Sequence, residues 1–369
     1  MRVPARHWQT GQPLTLMLEE GSVAGFGPGA DRDGLPWLAP TLCDLQVNGA
    51  LGVGFNDPGL TADGVRTVAD ACRAGGVGLF LPTVITDAAE AIERAFRTLA
   101  RVIDADPGLA AMVPGFHLEG PFLSPLDGYR GAHPAAHVRD PDADLFARWQ
   151  DAAGGRIRLV TLAPERPGAL ALIEKLTAAG VVVALGHTTA DADTVTAAAD
   201  AGARLVTHLG NGLPALLPRH ANPLWAELAD DRLWASVIAD GHHLPAGVLR
   251  AVCKLKAAGL VLVSDASPLA GLPPGRYPLW GADCEVSADG RVGLAGTPYL
   301  AGSGAFLGGC VATAVRLGGL SVTAAITAAA VRPRELLGLP VPEVTLGEPA
   351  GLMLFDLTAV GLRVRGVAG

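Results

Sequence analysis

Four residues that can bind a metal or move protons stand at or near the ends of short apolar runs. Glu119 closes MVPGFHLE and His187 closes VVVALGH, while His208 lies in RLVTHL. Two imidazoles and one carboxylate form the protein ligand set of hydrolytic zinc sites that leave one position open for water. Glu119, His187 and His208 are therefore candidate metal ligands.

The fourth residue, Asp265, closes the run LVLVSD and is a candidate acid/base group. Water activated by a divalent ion loses a proton near neutral pH, and a carboxylate that is not a ligand can accept and return that proton. Capping of the following Ala-Ser-Pro turn is the alternative role of Asp265. Each histidine alone could simply bond the backbone, but several such groups on one rim are costly unless they pair or bind a cation.

The elements that must position these residues form a repeated pattern of strands and helices. Most of eight short apolar runs precede segments that can form helices, and the runs lie at 41–47, 78–84, 112–119, 158–163, 181–187, 204–209, 234–240 and 260–265. Their continuous apolar character is typical of strands buried on both faces of a parallel sheet. The pattern predicts an α/β fold, a (β/α)8 barrel, whose active site lies where the strands end.

The two ends of the chain predict a small β satellite domain. The β-like runs TLMLEEGSVAGF and GLMLFDL lie near the termini and would pair in one sheet. We therefore expect residues 1–39 and 336–369 to form the satellite and residues 40–335 to form the metal-dependent barrel. The run 284–294 predicts a hairpin that turns at Asp289-Gly290, and a helix is expected near 303–316.

The composition restricts the classes of function. The chain has 369 residues, of which 50% are hydrophobic and 17% charged, and its net charge is -8. An acidic chain without a basic run lacks the electrostatic footprint of a protein that binds nucleic acid or an anionic membrane. No apolar run approaches the ~20 residues of a membrane span, and the N-terminus lacks an apolar leader, so we expect a cytoplasmic protein. Five dispersed cysteines without a CxxC pair predict reduced core thiols.

The candidate residues are embedded in phrases that occur together and in order, namely GFHLEGPFLSP with GAH, ALGHT, THLGN, IADGHH, LVSDAS and LAGS. From about Pro40 to Asp356 the sequence resembles the N-acetylglucosamine-6-phosphate deacetylase family of the amidohydrolase superfamily. The resemblance implies hydrolysis of N-acetyl-D-glucosamine 6-phosphate to glucosamine 6-phosphate and acetate. It also implies one divalent ion per subunit on Glu119, His187 and His208, with zinc foremost and Fe, Mn, Co or Ni as alternatives.

The resemblance implies a role for His133, from GAH, in the chemical step. His133 would donate a hydrogen bond to the acetamido carbonyl and stabilise the developing oxyanion. Asp265 would take a proton from the attacking water and return it to the leaving amine. A histidine on a surface loop is the alternative interpretation of His133.

Contacts to the sugar phosphate are implied in the same way. The phosphate would lie near Asn211 and Gly212 and would be bound by Arg219 and His243. The last two residues would come from a neighbouring subunit, so a homodimer is implied. A solvated surface position for Arg219, and His242 in place of His243, are the alternatives.

Departures from the wider superfamily bear on the number of metals. Many amidohydrolases have His-x-His at the end of the first strand, but this chain has Gln46-Val47-Asn48. The only lysines, Lys175, Lys254 and Lys256, lie in predicted helices, so a carboxylated lysine that bridges two metals is not expected. Both observations favour a single ion. The phrase THLGNGL has glycines where an aromatic residue and Ala are usual, which would widen the pocket.

Three other functions stay open at this point. The chain could deacetylate another amino sugar phosphate such as N-acetylgalactosamine 6-phosphate, since nothing in the sequence separates the two epimers. Hydrolysis of a cyclic amide is disfavoured by the missing His-x-His and bridging lysine. A binding or structural oligomer without catalysis is disfavoured by the complete set of candidate ligands.

Overall fold

The structure is a computed structural model that describes residues 1–19, 22–342, 351–359 and 361–368. Parts of the predicted satellite at 20–21, 343–350, 360 and 369 lie outside the described residues. The strands are β1 Arg2–His7, β2 Pro13–Glu19, β3 Ser22–Pro28, β4 Trp37–Pro40, β5 Leu42–Val47, β6 Gly49–Ala50, β7 Val53–Gly54, β8 Val77–Ile85, β9 Phe116–Glu119, β10 Ile157–Leu162, β11 Val182–Leu185, β12 Leu205–Val206, β13 Trp234–Ile238, β14 Leu260–Val263, β15 Gly275–Leu279, β16 Ala282–Val286, β17 Val292–Leu294, β18 Leu352–Leu357 and β19 Leu362–Ala368.

The helices lie mainly between the barrel strands. They are α1 Ala62–Ala74, α2 Ala89–Asp104, α3 Pro107–Met112, α4 Ala143–Ala152, α5 Ala169–Ala178, α6 Ala192–Asp200, α7 Pro223–Ala229, α8 Ala246–Leu255, α9 Leu307–Arg316, α10 Val322–Ile326 and α11 Arg332–Leu336. A 3-10 turn covers Ala135–His137, and a π-helical turn, Thr327–Val331, joins α10 to α11. No helix in the described part of the chain is both long and apolar enough to cross a bilayer.

Eight parallel strands form one sheet that curls into a nearly closed barrel. Their order is β5, β8, β9, β10, β11, β12, β13 and β14, which is also their order along the chain. Strands β9 and β14 are buried at every position, as expected of a parallel sheet covered by helices. The predicted (β/α)8 barrel is confirmed. Its eight strands coincide with the eight predicted apolar runs to within a few residues.

Side chains join the two edge strands of this sheet, β5 and β14. Oδ1 of the buried Asp44 carboxylate accepts hydrogen bonds from the backbone N–H of Ser264 (3.1 Å) and of Gln46 (3.3 Å). The Ser264 hydroxyl donates to the carbonyl of Gln46 at 3.3 Å. These contacts between β5 and the end of β14 form the barrel seam. Beyond the barrel seam, the N–H of Asn48 donates to the carbonyl of Ala266 at 2.8 Å. The carboxyl ends of the first and last barrel strands therefore lie side by side.

Two apolar layers support the strand ends. The barrel interior holds Cys43, Leu45, Leu81, Leu159, Ala184, Leu205, Ile238, Val261 and Val263. A larger cluster fills the space between the sheet and the surrounding helices. All five cysteines are buried and free, as predicted. Because the lower barrel is filled with apolar side chains, the polar strand ends are held at one rim.

A six-stranded sheet built from both ends of the chain forms the satellite. Its order is β19-β18-β4-β1-β2-β3, so strands near the two termini share one sheet, as predicted. The predicted hairpin is β16 and β17, which pair antiparallel and join β15 in a separate three-stranded sheet. The predicted helix near 303–316 is α9. The exact limits of the three segments, 1–39, 40–335 and 336–369, stay a prediction.

Candidate active site

A cavity of about 550 Å³ lies at the carboxyl ends of the barrel strands. The sequence-predicted residues that line it are Glu119, His133, His187, His208, Asn211, Gly212, His243 and Asp265. A second cavity of about 590 Å³ lies on the satellite sheet, among mainly apolar residues such as Leu16 and Leu38. We assign the chemistry to the barrel cavity because the titratable side chains converge there.

Three donor atoms form a small triangle in the wall of this cavity. Nε2 of His208 lies 3.1 Å from Oε1 of Glu119 and 3.1 Å from Nε2 of His187. The third side, from His187 Nε2 to Glu119 Oε1, measures 3.3 Å. Tetrahedral ligands about 2.0–2.1 Å from a zinc ion are about 3.3 Å apart, so the triangle has the dimensions of a metal site.

His133 lies at the edge of this triangle. Its ligand atom belongs with those of Glu119 and His187 to a group within 4.8 Å of one another, so His133 could also reach a metal. However, its Nε2 is 3.9 Å from the second oxygen of Glu119, farther than His208 Nε2 is from the first. The geometry therefore favours His208 over His133 as the third ligand.

The ring of His187 is oriented by a backbone group. Nδ1 of His187 lies 2.8 Å from the carbonyl oxygen of Tyr129. A carbonyl can only accept, so Nδ1 carries a proton, and in the neutral ring, the form that binds a metal, the lone pair of Nε2 points into the triangle. This is the outer contact expected of a histidine that binds a metal.

Three of the site residues adopt a left-handed backbone conformation. The φ angles are 52° at His187, 34° at His208 and 50° at Asp265. Such angles are uncommon for residues other than glycine, and strained backbone of this kind gathers at functional sites. At each of these positions the chain turns just after a strand, β11, β12 or β14, and the turn places the side chain at the rim.

The charge of Glu119 is fixed by its neighbours. Burial raises the pKa of this carboxyl, but hydrogen bonds with His187 and His208 outweigh burial and hold the pKa well below its usual range. Glu119 is therefore an anion over the physiological range. Charge and geometry together fit a cation at the triangle.

Asp265 shows the opposite shift. Burial, followed by the negative charge of Glu119, raises the pKa of Asp265 to about 7. The amide Nδ2 of Asn48 donates to Oδ1 of Asp265 at 2.7 Å, and this bond favours the ionised form. A carboxyl group with a pKa near neutrality can both accept and donate a proton at physiological pH.

His133 is buried and neutral. Burial, followed by the charge of His187, lowers the pKa of His133 to about 3. Its Nδ1 lies 2.8 Å from the hydroxyl of Thr86. When that hydroxyl donates to Nδ1, the ring keeps its proton on Nε2, on the side of Glu119. His133 can then donate a hydrogen bond into the cavity.

A second polar group lies where β13 ends. Nδ1 of His243 is 2.7 Å from Oδ2 of Asp240, and the hydroxyl of Ser303 donates to the same oxygen at 3.1 Å. Burial raises the pKa of Asp240, but the bond to His243 outweighs it and the net pKa is lowered. His243 therefore stands at the wall of this chain's own cavity, held by an ionised partner, whereas His242 contacts the carbonyl of Asp289 at 3.3 Å.

The remaining predicted contacts lie on the loop after β12. Asn211 Nδ2 donates to the carbonyl of His208 at 3.2 Å. Gly212 has a φ of 64°, and a Cβ there would stand 2.8 Å from Nδ1 of His187. Arg219 is exposed and lies outside the set of described residues that line the cavity; its carbonyl accepts a bond from Trp225 at 3.0 Å. The structure thus gathers every predicted site residue except Arg219.

Three residues of the site had no assigned role in the sequence. Asn48 bonds Asp265, Thr86 bonds His133, and the carbonyl of Tyr129 bonds His187. Asn48 and Thr86 come just after barrel strands, and that position is the signal that could have identified them. A backbone carbonyl such as that of Tyr129 leaves no signal in residue type.

The chain is similar to curated deacetylases over most of its length. It is 39% identical over 359 residues to the N-acetylglucosamine-6-phosphate deacetylase of Bos taurus, covering 93% of this chain and 85% of that protein. It is 34% identical over 329 residues to the N-acetylgalactosamine-6-phosphate deacetylase of Escherichia coli O157:H7, covering 88% and 85%. No family profile matches the chain.

Solved structures agree with these relatives. A variant of the Mycobacterium smegmatis N-acetyl-D-glucosamine-6-phosphate deacetylase, in complex with N-acetyl-D-glucosamine-6-phosphate, matches with a TM-score of 0.87 and 32% identity, covering 100% of this chain and 98% of that chain. A dihydroorotase at 14% identity and a TM-score of 0.56 shares the fold alone. The chain belongs to the N-acetylglucosamine-6-phosphate deacetylase family and is therefore a hydrolase that acts on a C–N bond.

Proposed function

We propose that this chain hydrolyses the acetamido group of N-acetyl-D-glucosamine 6-phosphate to acetate and glucosamine 6-phosphate. The observation that carries the proposal is the convergence of the Glu119, His187 and His208 donor atoms with Asp265 in one cavity. The names of the bovine and mycobacterial relatives support the choice of substrate.

Glu119, His187 and His208 would hold one divalent ion. The two neutral nitrogens and one anionic oxygen at 3.1–3.3 Å from one another suit zinc, and they also accept Fe, Mn, Co or Ni. When bound, such an ion supplies Lewis acidity and makes a water molecule nucleophilic near neutral pH. Gln46 and Asn48 stand where the wider superfamily has two further histidines, which supports a single ion.

The first chemical step uses His133 and Asp265. The acetamido carbonyl oxygen accepts the hydrogen bond of His133, whose Nε2 is oriented by the bond of Nδ1 to Thr86. As the water oxygen attacks the carbonyl carbon, Asp265 accepts the water proton. The His133 bond then stabilises the negative charge on the carbonyl oxygen, because a buried and preorganised donor needs little reorganisation.

The second step breaks the C–N bond. Asp265, now protonated, donates its proton to the sugar nitrogen, and the amine leaves as acetate forms. A pKa that burial raises above the usual range of an aspartate suits both halves of this role, since Asp265 must be ionised before the attack and protonated after it. Asn48 orients the carboxyl group through the bond at 2.7 Å.

The phosphate group is recognised by further residues in the wall of the cavity. We assign it to Asn211, Gly212 and His243, with Asp240 holding the His243 ring. Arg219 is exposed on its loop, which suits a residue that reaches the cavity of a second copy of the chain. A homodimer with shared sites is therefore part of the proposal. A cytoplasmic location is supported by five free, buried cysteines.

N-acetylgalactosamine 6-phosphate is a second candidate substrate. It is favoured by the Escherichia coli relative of that name, and the two sugars differ at one hydroxyl group. The test uses protein of measured metal content. It compares acetate release from both sugar phosphates and from unphosphorylated N-acetylglucosamine with the ring opening of a hydantoin. We expect the highest kcat/KM on one of the two sugar phosphates. Faster hydantoin opening, or full activity in metal-free protein, would contradict the proposal.

A further inference from the structure

The segment that carries His187 is held by a carboxylate outside the cavity. Glu165 follows β10 and lies beside the turn that contains residues 187–189. Its Oε1 accepts hydrogen bonds from the backbone N–H of Thr189 (2.8 Å) and from the Thr189 hydroxyl (3.0 Å), and its Oε2 accepts one from the Thr188 hydroxyl. One side chain thus receives three bonds from the two residues after His187.

Glu165 has no place in the proposed chemistry. It lies outside the set of described residues that line the cavity, and its carboxylate is engaged by the turn after β11. Thr189 donates two of the bonds and its neighbour Thr188 donates the third. Together they fix the direction of the backbone and the position of the Thr188 side chain. Thr188 is almost completely buried, at 2% exposure, and its Oγ in turn accepts the N–H of Ala190 at 2.9 Å.

The backbone of His187 needs such support. Its φ of 52° lies in the left-handed region, which is uncommon for residues other than glycine and persists where the surrounding structure holds it. The Tyr129 carbonyl holds the ring at Nδ1, but it does not touch the backbone of residues 187–189. The carbonyl of His187 accepts a hydrogen bond from the N–H of Ser124 at 3.0 Å. The Glu165 carboxylate adds a further restraint, on the chain immediately after the histidine.

We propose that Glu165 is a positioning residue for the metal site: its three hydrogen bonds to Thr188 and Thr189 hold His187 in the left-handed turn that aims Nε2 at the other two ligands. This inference rests on the proposed assignment of His187 as a ligand. Without the restraint, the turn relaxes toward ordinary φ values, and Nε2 leaves the triangle whose sides measure 3.1–3.3 Å. Loss of an outer partner of this kind typically weakens metal binding about 10–100-fold.

The test compares Glu165→Ala with Asp191→Ala in metal-free protein titrated with Co²⁺. Asp191 is the matched control, because its carboxylate also bonds backbone N–H, that of Thr194 at 2.9 Å, but it caps α6 and not the His187 turn. We expect Glu165→Ala to bind Co²⁺ about 10–100-fold more weakly, with altered visible absorption of the ion. Asp191→Ala should keep the affinity and spectrum of the wild type even if its melting temperature falls.

Two further variants keep the proposal testable if Glu165→Ala does not fold. Glu165→Gln retains an oxygen that can accept the two bonds from Thr189 and should recover most of the affinity and spectrum. Thr188→Val removes one of the three bonds to Glu165, together with the bond from the Ala190 N–H, and should show a smaller loss of affinity than Glu165→Ala. Wild-type affinity and spectrum in folded Glu165→Ala, or equal losses in Asp191→Ala, would overturn the proposal. Because the readout uses no substrate, a wrong assignment of the sugar would leave this result unchanged.

Discussion

Replacing Asn48 with leucine should shift the pH dependence of catalysis without removing any ligand. The Asn48 amide donates to Asp265 at 2.7 Å, and that bond favours the ionised carboxylate. Its loss therefore raises the pKa of Asp265. A hydrogen bond to a charged group contributes about 1.5–3 kcal/mol, and one pKa unit corresponds to about 1.4 kcal/mol, so the shift should be about one to two units upward.

The direction in which the acidic limb of the pH profile moves follows from the role of Asp265 as a base. The ionised form accepts the water proton, so kcat/KM falls as the pH drops through the pKa of Asp265. In the metal-free chain the pKa of Asp265 is about 7. A cation held by Glu119 lowers this pKa, because it offsets the negative charge of Glu119, which is the second cause of the rise. We expect the acidic limb of the wild-type profile at or below pH about 7, and that of Asn48→Leu at a higher pH.

The assay is kcat/KM for acetate release between pH 5 and 9, measured on protein of known metal content. Leucine is similar in shape to asparagine, and Oδ1 of Asn48 has no hydrogen-bond partner among the described residues, so the exchange removes one bond only. Asn56→Leu is the control, since Asn56 bonds Ile85 and Asp87 on the same rim without touching Asp265. An acidic limb in Asn48→Leu that coincides with the wild-type limb, or lies below it, would refute the reasoning.

Three further predictions concern the base, the barrel seam and the subunit contact. Asp265→Asn should lower kcat about 10²–10⁴-fold, the usual contribution of a general base, while elemental analysis finds the same metal content; near-normal turnover would exclude the role. Asp44→Ala should lower the free energy of unfolding in urea by at least about 1–3 kcal/mol, because two N–H groups lose their acceptor, whereas Asp44→Asn keeps an acceptor and should lose less. Arg219→Ala should raise KM for the sugar phosphate more than it lowers kcat, and mixing it with an inactive Asp265→Asn protein should restore some sites of wild-type affinity only if subunits share them.

The sequence predicted the fold because each barrel strand is a continuous apolar run. It also identified the candidate ligands that the structure brings together, because polar residues at the ends of such runs have few structural roles. His187 and His208 are examples, since each lies at the rim two residues after a short apolar strand, Val182–Leu185 and Leu205–Val206. The strands β11 and β12 are only 4 and 2 residues long, yet their flanking polar residues still marked their ends.

Contacts between distant parts of the chain were not predictable in this way. Asn48 and Asp265 are 217 residues apart, and their bond follows only from the closing of the barrel between β5 and β14. The role of Asp44 in that closure is hidden for the same reason. A carboxylate inside an apolar strand gives no indication that one of its partners is the backbone N–H of Ser264, just after the last strand.

The left-handed conformation at His187, His208 and Asp265 restricts which residues these positions can accept, apart from any chemistry. Branched side chains such as valine or isoleucine enter this conformation poorly, whereas glycine and asparagine enter it readily. An inactive branched variant would therefore report a displaced backbone as much as a missing functional group. Asparagine is the better replacement at all three positions. The same selection on backbone shape would apply to natural variation, so a descendant that lost the metal should first exchange these residues for asparagine or glycine.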